Sequence, residues 1–262
     1  MESLGMAAAR AACVAALMAG AMDCRAASDH EKAVGAQLEQ LCDARTLATL
    51  GRVLQVPNFK EPELGHDADA NAVVAAAACR AAPTYGGRLV AAAYRSGHDN
   101  DLLLAIVVLG AGGQAGATFK GNLESDPAVK IVSGSLWLDT AAYDLAPGVR
   151  AFGIDIASDA VDNAVVRGGV TATRNLFVQQ GTQLRLVLDG FVLTTSTKGA
   201  DGLTKTSSKL ALASTASHGF ADMLVTRSIE PGGSKDHATL VFDGTRYGVS
   251  GGGYARHQLT EQ

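Results

Sequence analysis

Proline, aromatic residues and runs of like charge are all scarce in this sequence. Only 6 of the 262 residues are proline and 5% are aromatic, whereas glycine occurs 30 times. The 22 basic and 26 acidic side chains give a formal charge of -4 and are scattered, so no segment attracts phosphate strongly. This charge pattern argues against nucleic acid as a partner. The glycines, with many Thr and Ser between short apolar runs, predict numerous tight turns rather than long helices.

No apolar run reaches the roughly 20 residues that a helix needs to span a bilayer. Residues 11–22 form an apolar run after Arg10, with about the length of a signal-peptide core. We therefore expect residues 1–26 to be a signal peptide, the mature protein to be periplasmic or secreted, and no stable membrane span to remain after processing. Cleavage after Ala21 and cleavage after Ala26 both fit the small-x-small rule, and a buried alanine-rich helix is the alternative.

Cysteine is scarce as well, with four in the chain. Cys13 lies inside the predicted signal and Cys24 at its border, which leaves Cys42 and Cys79 in the mature protein. Two cysteines in an exported protein predict a disulfide, which would stabilise the fold by roughly 3 to 4 kcal/mol on the chain-entropy model. Two buried free thiols are the alternative. Cleavage after Ala21 would leave Cys24 as an unpaired thiol, so the later site agrees better with pairing.

Residues 27–262 are predicted to form a single β-rich domain that begins with a helix at 28–51. Ser28 and Glu31 have the spacing of a capping box at the start of this helix, and Gly51 is a natural stop. The apolar stripe expected to face the core consists of Val34, Leu38, Leu41, Leu47 and Leu50.

The remaining sequence alternates short apolar runs with polar turns, which is typical of antiparallel strands. Residues 71–82 and 88–95 flank a Pro-Thr-Tyr-Gly-Gly turn, although the alanines of the first arm also allow a helix. The continuous apolar run 102–109 has the length of a strand that is buried on both faces. In the well-patterned stretch 136–193, an Ala-Pro-Gly turn is predicted at 146–148.

Four more connections are predicted in the second half of the chain. A four-residue hairpin loop is expected at 179–182, and Asp-Gly at 189–190 is expected to turn the chain. The polar segment 194–208 has almost no apolar content, so it is predicted to be a mobile exposed loop. Asp-Gly-Thr at 243–245, between two short apolar runs, is the strongest hairpin signal in the chain.

The pattern ADMLVT at 221–226 followed by LVFDGTRY at 240–247 resembles a motif of uncharacterised secreted or periplasmic bacterial β-repeat proteins. More loosely, it is similar to FG-GAP or propeller-like modules. The resemblance implies export and a β-meander, and it implies no reaction. Calcium-binding repeats of that type have a D-x-N-x-D-G loop that is missing here, so no ligand residues are carried over. The predicted fold class is mainly β: an antiparallel β-meander or sandwich, or a partial propeller-like sheet, with one N-terminal helix.

Two motifs resemble cofactor or metal sites, but the residues around each motif argue against such a site. Gly110, Gly112 and Ala115 match the dinucleotide fingerprint G-x-G-x-x-G/A, but no helical stripe follows, so a glycine-rich hairpin is preferred and no cofactor is expected. The acidic turn at 67–71 begins like a calcium loop, but Ala72 stands where that loop needs glycine. The six histidines have no metal-binding spacing, so no metal is expected.

The sequence motifs for catalysis are equally weak, and they identify no catalytic residues. Residues 248–252 match G-x-S-x-G around Ser250, yet no helix is predicted after them. His218 and Asp222 have the spacing for an acid-base pair. The carboxylates that the spacing allows to converge are Asp139, Asp144 and Asp155.

Two functions follow from these observations. The first is an exported, non-catalytic β-rich binding protein that recognises a protein or an envelope ligand through its loops, since rigid sheets commonly present loops for recognition. The second is a cell-envelope hydrolase whose site is assembled from distant residues. The absence of a coherent nucleophile, metal or carboxylate signature favours the first, and the polar segment after Leu193 is the place where we expect its function to lie.

Overall fold

The computed structural model describes residues 40–60, 73–95, 102–123, 131–157, 169–199, 202–249 and 259–261. These residues contain one α-helix, α1 (Ala44–Leu54), and a single turn of 3-10 helix at Pro83–Tyr85. The thirteen strands are β1 (Val74–Ala82), β2 (Gly87–Arg95), β3 (Leu102–Gly110), β4 (Ala115–Leu123), β5 (Leu136–Ala146), β6 (Val149–Ala157), β7 (Gly169–Gln180), β8 (Gln183–Gly199), β9 (Gly202–Ser217), β10 (Phe220–Glu230), β11 (Ser234–Phe242), β12 (Tyr247–Val249) and β13 (Leu259–Glu261). The predicted mainly β fold class is confirmed.

The strands form one sheet that is almost entirely antiparallel. Its path runs β1-β2-β3-β4-β8-β9-β10-β11-β12, β13 lies beside β4, and the meander β5-β6-β7 joins the path where β7 pairs with β8. The one parallel contact, between β4 and β8, pairs Thr118 with Gln183. Strand β8 is 17 residues long and therefore belongs both to the β5–β8 meander and to the β8–β12 meander.

The first core lies between strands β1–β4 and strands β5–β8. The alanines of β1 and β2 allow the two layers to approach, and Leu, Ile and Phe side chains fill the space between them. The rings of Phe119 and Phe177 lie 4.9 Å apart in an edge-to-face arrangement, which is favourable for aromatic pairs. The hydroxyl of Tyr85 donates to the backbone oxygen of Arg150 across the same interface.

The second core lies on the opposite face of β1–β3, beneath α1. Leu47, Leu50 and Leu54 of the helix pack there against Val90 and Val107 of the sheet. Strand β3 is thus covered on both faces, which is why its sequence is continuously apolar. The prediction that residues 102–109 form a strand buried on both faces is confirmed.

The third core covers the face of β7 and β8 that points away from the first core. Leu176 and Val178 contact the inner face of strands β10–β12, which contributes Met223, Phe242 and Tyr247. The predicted strand-turn-strand order at the end of the chain is confirmed, since β11 and β12 are joined through residues 243–246.

The helix differs from its prediction at both ends. Asp43 is the N-cap, and its carboxylate accepts from the backbone N–H of Thr46, so α1 begins at Ala44 rather than within residues 28–39, which lie outside the described residues. The helix also continues past Gly51. A Cβ at Gly51 would lie 2.5 Å from the Cβ of Phe59, so this glycine permits a close contact instead of ending the helix. Gln55, in the left-handed conformation, ends it.

Two predicted turns are also corrected. Strands β7 and β8 extend to Gln180 and from Gln183, so the loop predicted at 179–182 is a two-residue turn with Gly181 at φ 61°. Asp-Gly at 189–190 is no turn: it is a β-bulge inside β8. Its Gly190 N–H donates at 2.7 Å to Oδ1 of the buried Asn175 on β7.

The segment 194–208, predicted to be a mobile loop, is the largest correction. It forms the end of β8 and the start of β9, which pair antiparallel from Thr194 and Ser207 to Gly199 and Gly202. Thr is a strong strand former, and the ladder satisfies the backbone without any need for apolar side chains. A polar sequence was therefore mistaken for a disordered one.

The predicted pairing of Cys42 with Cys79 is confirmed. The disulfide joins the segment before α1 to β1 and closes a loop with a sequence separation of 37 residues. In the chain-entropy model a loop of this size stabilises the folded state by about 4 kcal/mol. The link holds α1 against the sheet whose second core it completes.

Replacing both cysteines, as C42A/C79A, is expected to lower the free energy of unfolding by about 3 to 4 kcal/mol because the unfolded chain regains its freedom. Chemical denaturation at neutral pH measures this difference. A reducing agent should destabilise the wild type by a similar amount and leave the double variant unchanged. Equal stability of the wild type with and without reductant would contradict the assignment.

The N-cap of α1 makes a second prediction, about pH. The backbone N–H and hydroxyl of Thr46, followed by Arg88, lower the pKa of Asp43 from 3.8 to about 2. Because its pKa is lower in the folded state, ionised Asp43 stabilises the fold above pH 3.8, and this contribution is lost as the pH falls towards 2. Asn can also cap a helix, so D43N removes the charge and keeps the cap. The melting temperature of D43N should be below that of the wild type at pH 5 to 7, and the two should converge between pH 4 and pH 2. A difference in melting temperature that stays constant down to pH 2 would show that the charge of Asp43 does not contribute to stability.

Candidate functional site

The face of the β8–β11 sheet that points away from the third core is open to solvent. On β10, Met223 and Val225 are buried, whereas the intervening Leu224 is 46% exposed. Side chains alternate along a strand, and directly paired residues share a face, so the registers define which side chains lie with Leu224. This cationic face consists of Thr194, Ser196 and Lys198 on β8; Leu203, Lys205, Ser207, Lys209 and Ala211 on β9; Leu224, Thr226, Ser228 and Glu230 on β10; and Lys235, His237 and Thr239 on β11.

The charges on the cationic face are strongly unbalanced. It carries four of the eight lysines of the chain, and Glu230 is the one acidic residue among its described members. Within the described residues no ion pair forms to Lys198, Lys205, Lys209 or Lys235, although Glu230 stands opposite Lys205 in the register. In a chain with a net charge of -4, this face is therefore a local concentration of positive charge.

Hydroxyl groups occupy most of the positions between the lysines. Ser and Thr supply six of the fifteen side chains of this face, and Thr226 lies 3.3 Å from the imidazole Nδ1 of His237. Leu203 and Leu224 also belong here, and they are two of the three large apolar side chains that the described part of the chain exposes. The surface is thus rich in hydrogen-bonding groups, with small apolar areas between the charges. Sequence reasoning placed function in the segment 194–208 but missed the face, because its other two strands lie elsewhere in the chain.

Two of the three aspartates predicted to converge do so, around an arginine that the prediction missed. Arg174 on β7 binds Asp155 on β6 through two hydrogen bonds of 2.6 and 2.7 Å, and its Nη1 lies 2.7 Å from Oδ2 of Asp139 on β5. Tyr143 donates to the same Asp139 oxygen. The guanidinium reaches Asp139 by crossing Gly153, where a Cβ would lie 3.4 Å from the arginine Cδ. Asp144 is not part of this cluster, since it pairs with Arg150 on the surface.

Burial governs the protonation of this Arg174 cluster. It raises the pKa of Asp155, which the hydrogen bonds and charge of Arg174 lower in turn, and it raises the pKa of Tyr143 to about 12. Burial works against the charge of Arg174, but Asp155, Asp139 and Tyr143 outweigh it and raise the arginine pKa. The phenol therefore stays protonated, and each of the two carboxylates has the guanidinium as its partner. The arrangement stabilises charges that the sheet has buried.

His218 and Asp222 are not paired. The imidazole Nδ1 of His218 lies 2.8 Å from the backbone oxygen of Phe242, in a turn where His218 and Gly219 both have positive φ. Asp222 is buried beside Tyr247, and its Oδ1 has no hydrogen-bond partner in the described structure. Its negative charge adds to the burial that raises the pKa of Tyr247. Ser250 and the end of the G-x-S-x-G match lie outside the described residues.

The dinucleotide-like motif is part of a hairpin, as the sequence favoured. Gly110 ends β3, Ala115 begins β4, and the turn between them is followed by a strand instead of the helix that the fingerprint requires. Residues 67–71 lie outside the described residues. Among the residues that are described, no group of three or more His, Cys, Asp or Glu side chains is placed to hold a metal ion.

No known family model matches this chain, and no curated protein or solved structure was found to match it. No helix within the described ranges is both long and apolar enough to cross a membrane.

The Arg174 cluster predicts a pH-dependent loss of stability in R174M. This variant leaves two buried carboxylates without their partner, which should cost about 3 to 5 kcal/mol at pH 7. Without the arginine, nothing offsets the burial that raises the pKa of Asp155, so its folded-state pKa lies further above its unfolded value and stability rises as the pH falls through it. Denaturant unfolding at pH 7 and pH 4.5 should therefore show a smaller deficit at the lower pH. The same deficit at both values would mean that lost packing, not charge, is responsible.

Proposed function

We propose that this protein is an exported, non-catalytic binding protein whose cationic face holds an anionic polysaccharide. The observation that carries the proposal is the set of four lysines on one face of the sheet, none of which forms an ion pair with a described residue. Surface lysines usually alternate with acidic residues, and an unbalanced set attracts ligands of opposite charge. The face is about 27 Å long along β9 and about 14 Å across its four strands, at usual strand dimensions. It thus suits an extended chain better than a small molecule.

The composition of the face favours a sugar polymer over other anionic partners. Single-stranded nucleic acids are held largely by stacking on aromatic rings, and the cationic face has no Phe, Tyr or Trp. Protein interfaces are enriched in aromatic residues, Met and Arg and depleted in Lys and Ser, the reverse of this surface. Amphipathic elements that bind membranes present large apolar side chains such as Trp and Phe. Hydroxyl groups beside lysines match the hydroxyl and carboxylate groups of an acidic polysaccharide.

Export is the second part of the proposal, and the Cys42–Cys79 disulfide supports it. Structural disulfides form and persist in oxidising compartments such as the periplasm and the extracellular space. The apolar run at 11–22 has the length of a signal-peptide core. Envelope and extracellular matrices are also where acidic polysaccharides are found outside the cell, so compartment and ligand agree.

Removing two lysines of the cationic face should weaken polysaccharide binding. We expect K205Q/K209Q to bind fluorescently labelled alginate about five- to tenfold more weakly than the wild type, since each exposed ion pair is worth up to about 1 kcal/mol. The matched control is K60Q/K120Q, which removes the same charge from residues outside the face and should bind as the wild type does. Fluorescence anisotropy at low ionic strength measures both.

The same assay separates this proposal from other binding functions. Neutral dextran should not compete, and 0.5 M salt should weaken alginate binding because exposed charges are screened. Equal losses in K205Q/K209Q and K60Q/K120Q would show that only net charge matters, and the proposal would fail. Tighter binding of single-stranded DNA or of anionic vesicles than of alginate would replace the polysaccharide with that partner.

A further inference from the structure

A second concentration of positive charge lies in a cleft between α1 and the turn that joins β3 to β4. The cleft has a volume of about 570 Å³, within the range of small-molecule sites. Three arginines line it, on α1 and at the start of β2, together with the glycine-rich turn at 110–113. The arginines are Arg45, Arg52 and Arg88.

One of the three arginines is neutralised within the protein. Arg88 lies 2.7 Å from Oδ2 of Asp43, the one acidic residue among the described residues that line the cleft, and Arg88 also donates to the hydroxyl of Thr46. The low pKa of Asp43 keeps this carboxylate ionised at neutral pH. Asp43 and Arg88 therefore balance each other and add no net charge.

The other two arginines have no acidic partner in the described structure. Arg45 and Arg52 are seven residues apart on α1, which places them on the same side of the helix about 10 Å apart. Thr49 lies between them, and its hydroxyl accepts a hydrogen bond of 2.9 Å from Arg52. This bond leaves the hydroxyl proton of Thr49 free to donate. The cleft thus has two uncompensated guanidinium groups and a hydroxyl donor on one wall.

The opposite wall is formed by backbone. A Cβ at Gly113, where φ is 75°, would lie 3.5 Å from Cγ2 of Thr49, so the turn passes directly beside α1. The N–H groups of Ala111 and Gly112 donate no hydrogen bond among the described residues, whereas Gly113 donates to the oxygen of Gly110. Unpaired backbone amides in a glycine-rich turn commonly donate hydrogen bonds to anionic oxygens.

We infer that this cleft binds the phosphate group of a small anionic ligand, with Arg45 and Arg52 as its principal contacts. Guanidinium groups pair with phosphate through two parallel hydrogen bonds, and Thr49 and the two turn amides add further donors. A phosphate monoester presents three oxygens and up to two negative charges, whereas a carboxylate presents two oxygens and one charge, so phosphate pairs with more of these donors at once. The site does not depend on the cationic face, which lies on different strands and uses lysines.

The inference is tested with inorganic phosphate as the probe and the full chain as the protein. Amide chemical shifts of the turn at 110–113 should move saturably as phosphate is added at constant ionic strength, with chloride as the compensating ion. R45Q/R52Q should weaken the apparent affinity at least tenfold. The matched control, K60Q/K120Q, removes the same charge from residues outside both the cleft and the cationic face and should bind phosphate as the wild type does.

T49V provides a second test, because it removes the hydroxyl and nearly keeps the shape of the side chain. It should weaken phosphate binding about threefold to fivefold. Circular dichroism confirms that each variant folds. If phosphate leaves the turn amides unchanged, if R45Q/R52Q saturates like the wild type, or if acetate binds as tightly as phosphate, the inference is overturned. Alginate binding by R45Q/R52Q, measured in parallel, distinguishes a failure here from a failure of the polysaccharide proposal.

Discussion

The continuity of strand β8 through its bulge is the constraint on which the rest of the structure depends. Its first half is covered by the first and third cores, and its second half carries part of the cationic face. The bulge at 189–190 lets the strand change direction without ending, because the buried Asn175 accepts the Gly190 N–H that the ladder leaves unpaired. A buried amide without a partner would cost about 1 to 3 kcal/mol. The side chain of Asn175 on β7 therefore stabilises the bulge that lets β8 take part in both meanders.

The distribution of charge follows from how much of each strand is covered. The largely buried Arg174 is enclosed by Asp139, Asp155 and Tyr143. By contrast, the lysines of the cationic face form no ion pair with a described residue, and neither do Arg45 and Arg52 of α1. The net charge of -4 hides this separation, since the acidic residues that balance the total lie elsewhere.

Much of the fold could be predicted from the sequence wherever the signal was local. The apolar run 102–109, the turn at 146–148 and the hairpin at 243–245 depend on neighbouring residues, and the structure contains all three. The Asp-Gly pair at 189–190 was misread because the same dipeptide forms a turn or a bulge, depending on a partner that lies at Asn175. Nothing near the dipeptide in sequence shows that partner.

The candidate site could be predicted only in part, for a related reason. Low apolar content in 194–208 predicts a mobile loop, but an antiparallel ladder needs only backbone partners and residues that tolerate extended geometry. The lysines at 198, 205, 209 and 235 do not form a cluster in sequence, so their common face appears only with the register. Asp139 and Asp155 were expected to converge, but their partner Arg174 is brought to them by the pairing of β6 with β7.

Strands β9–β11 are buried on one face only, so their inner and outer side chains are under different evolutionary constraints. Its inner side chains, such as Met223 and Val225, fill the third core, so changes there are limited by packing. Its outer side chains contact mainly solvent, where substitutions seldom change stability by more than about 0.5 kcal/mol. Evolution can therefore alter the pattern of lysines and hydroxyls on this face, and with it the ligand, while the scaffold stays the same. Among related proteins with this architecture, we expect the alternate positions of β9 and β10 to diverge at different rates.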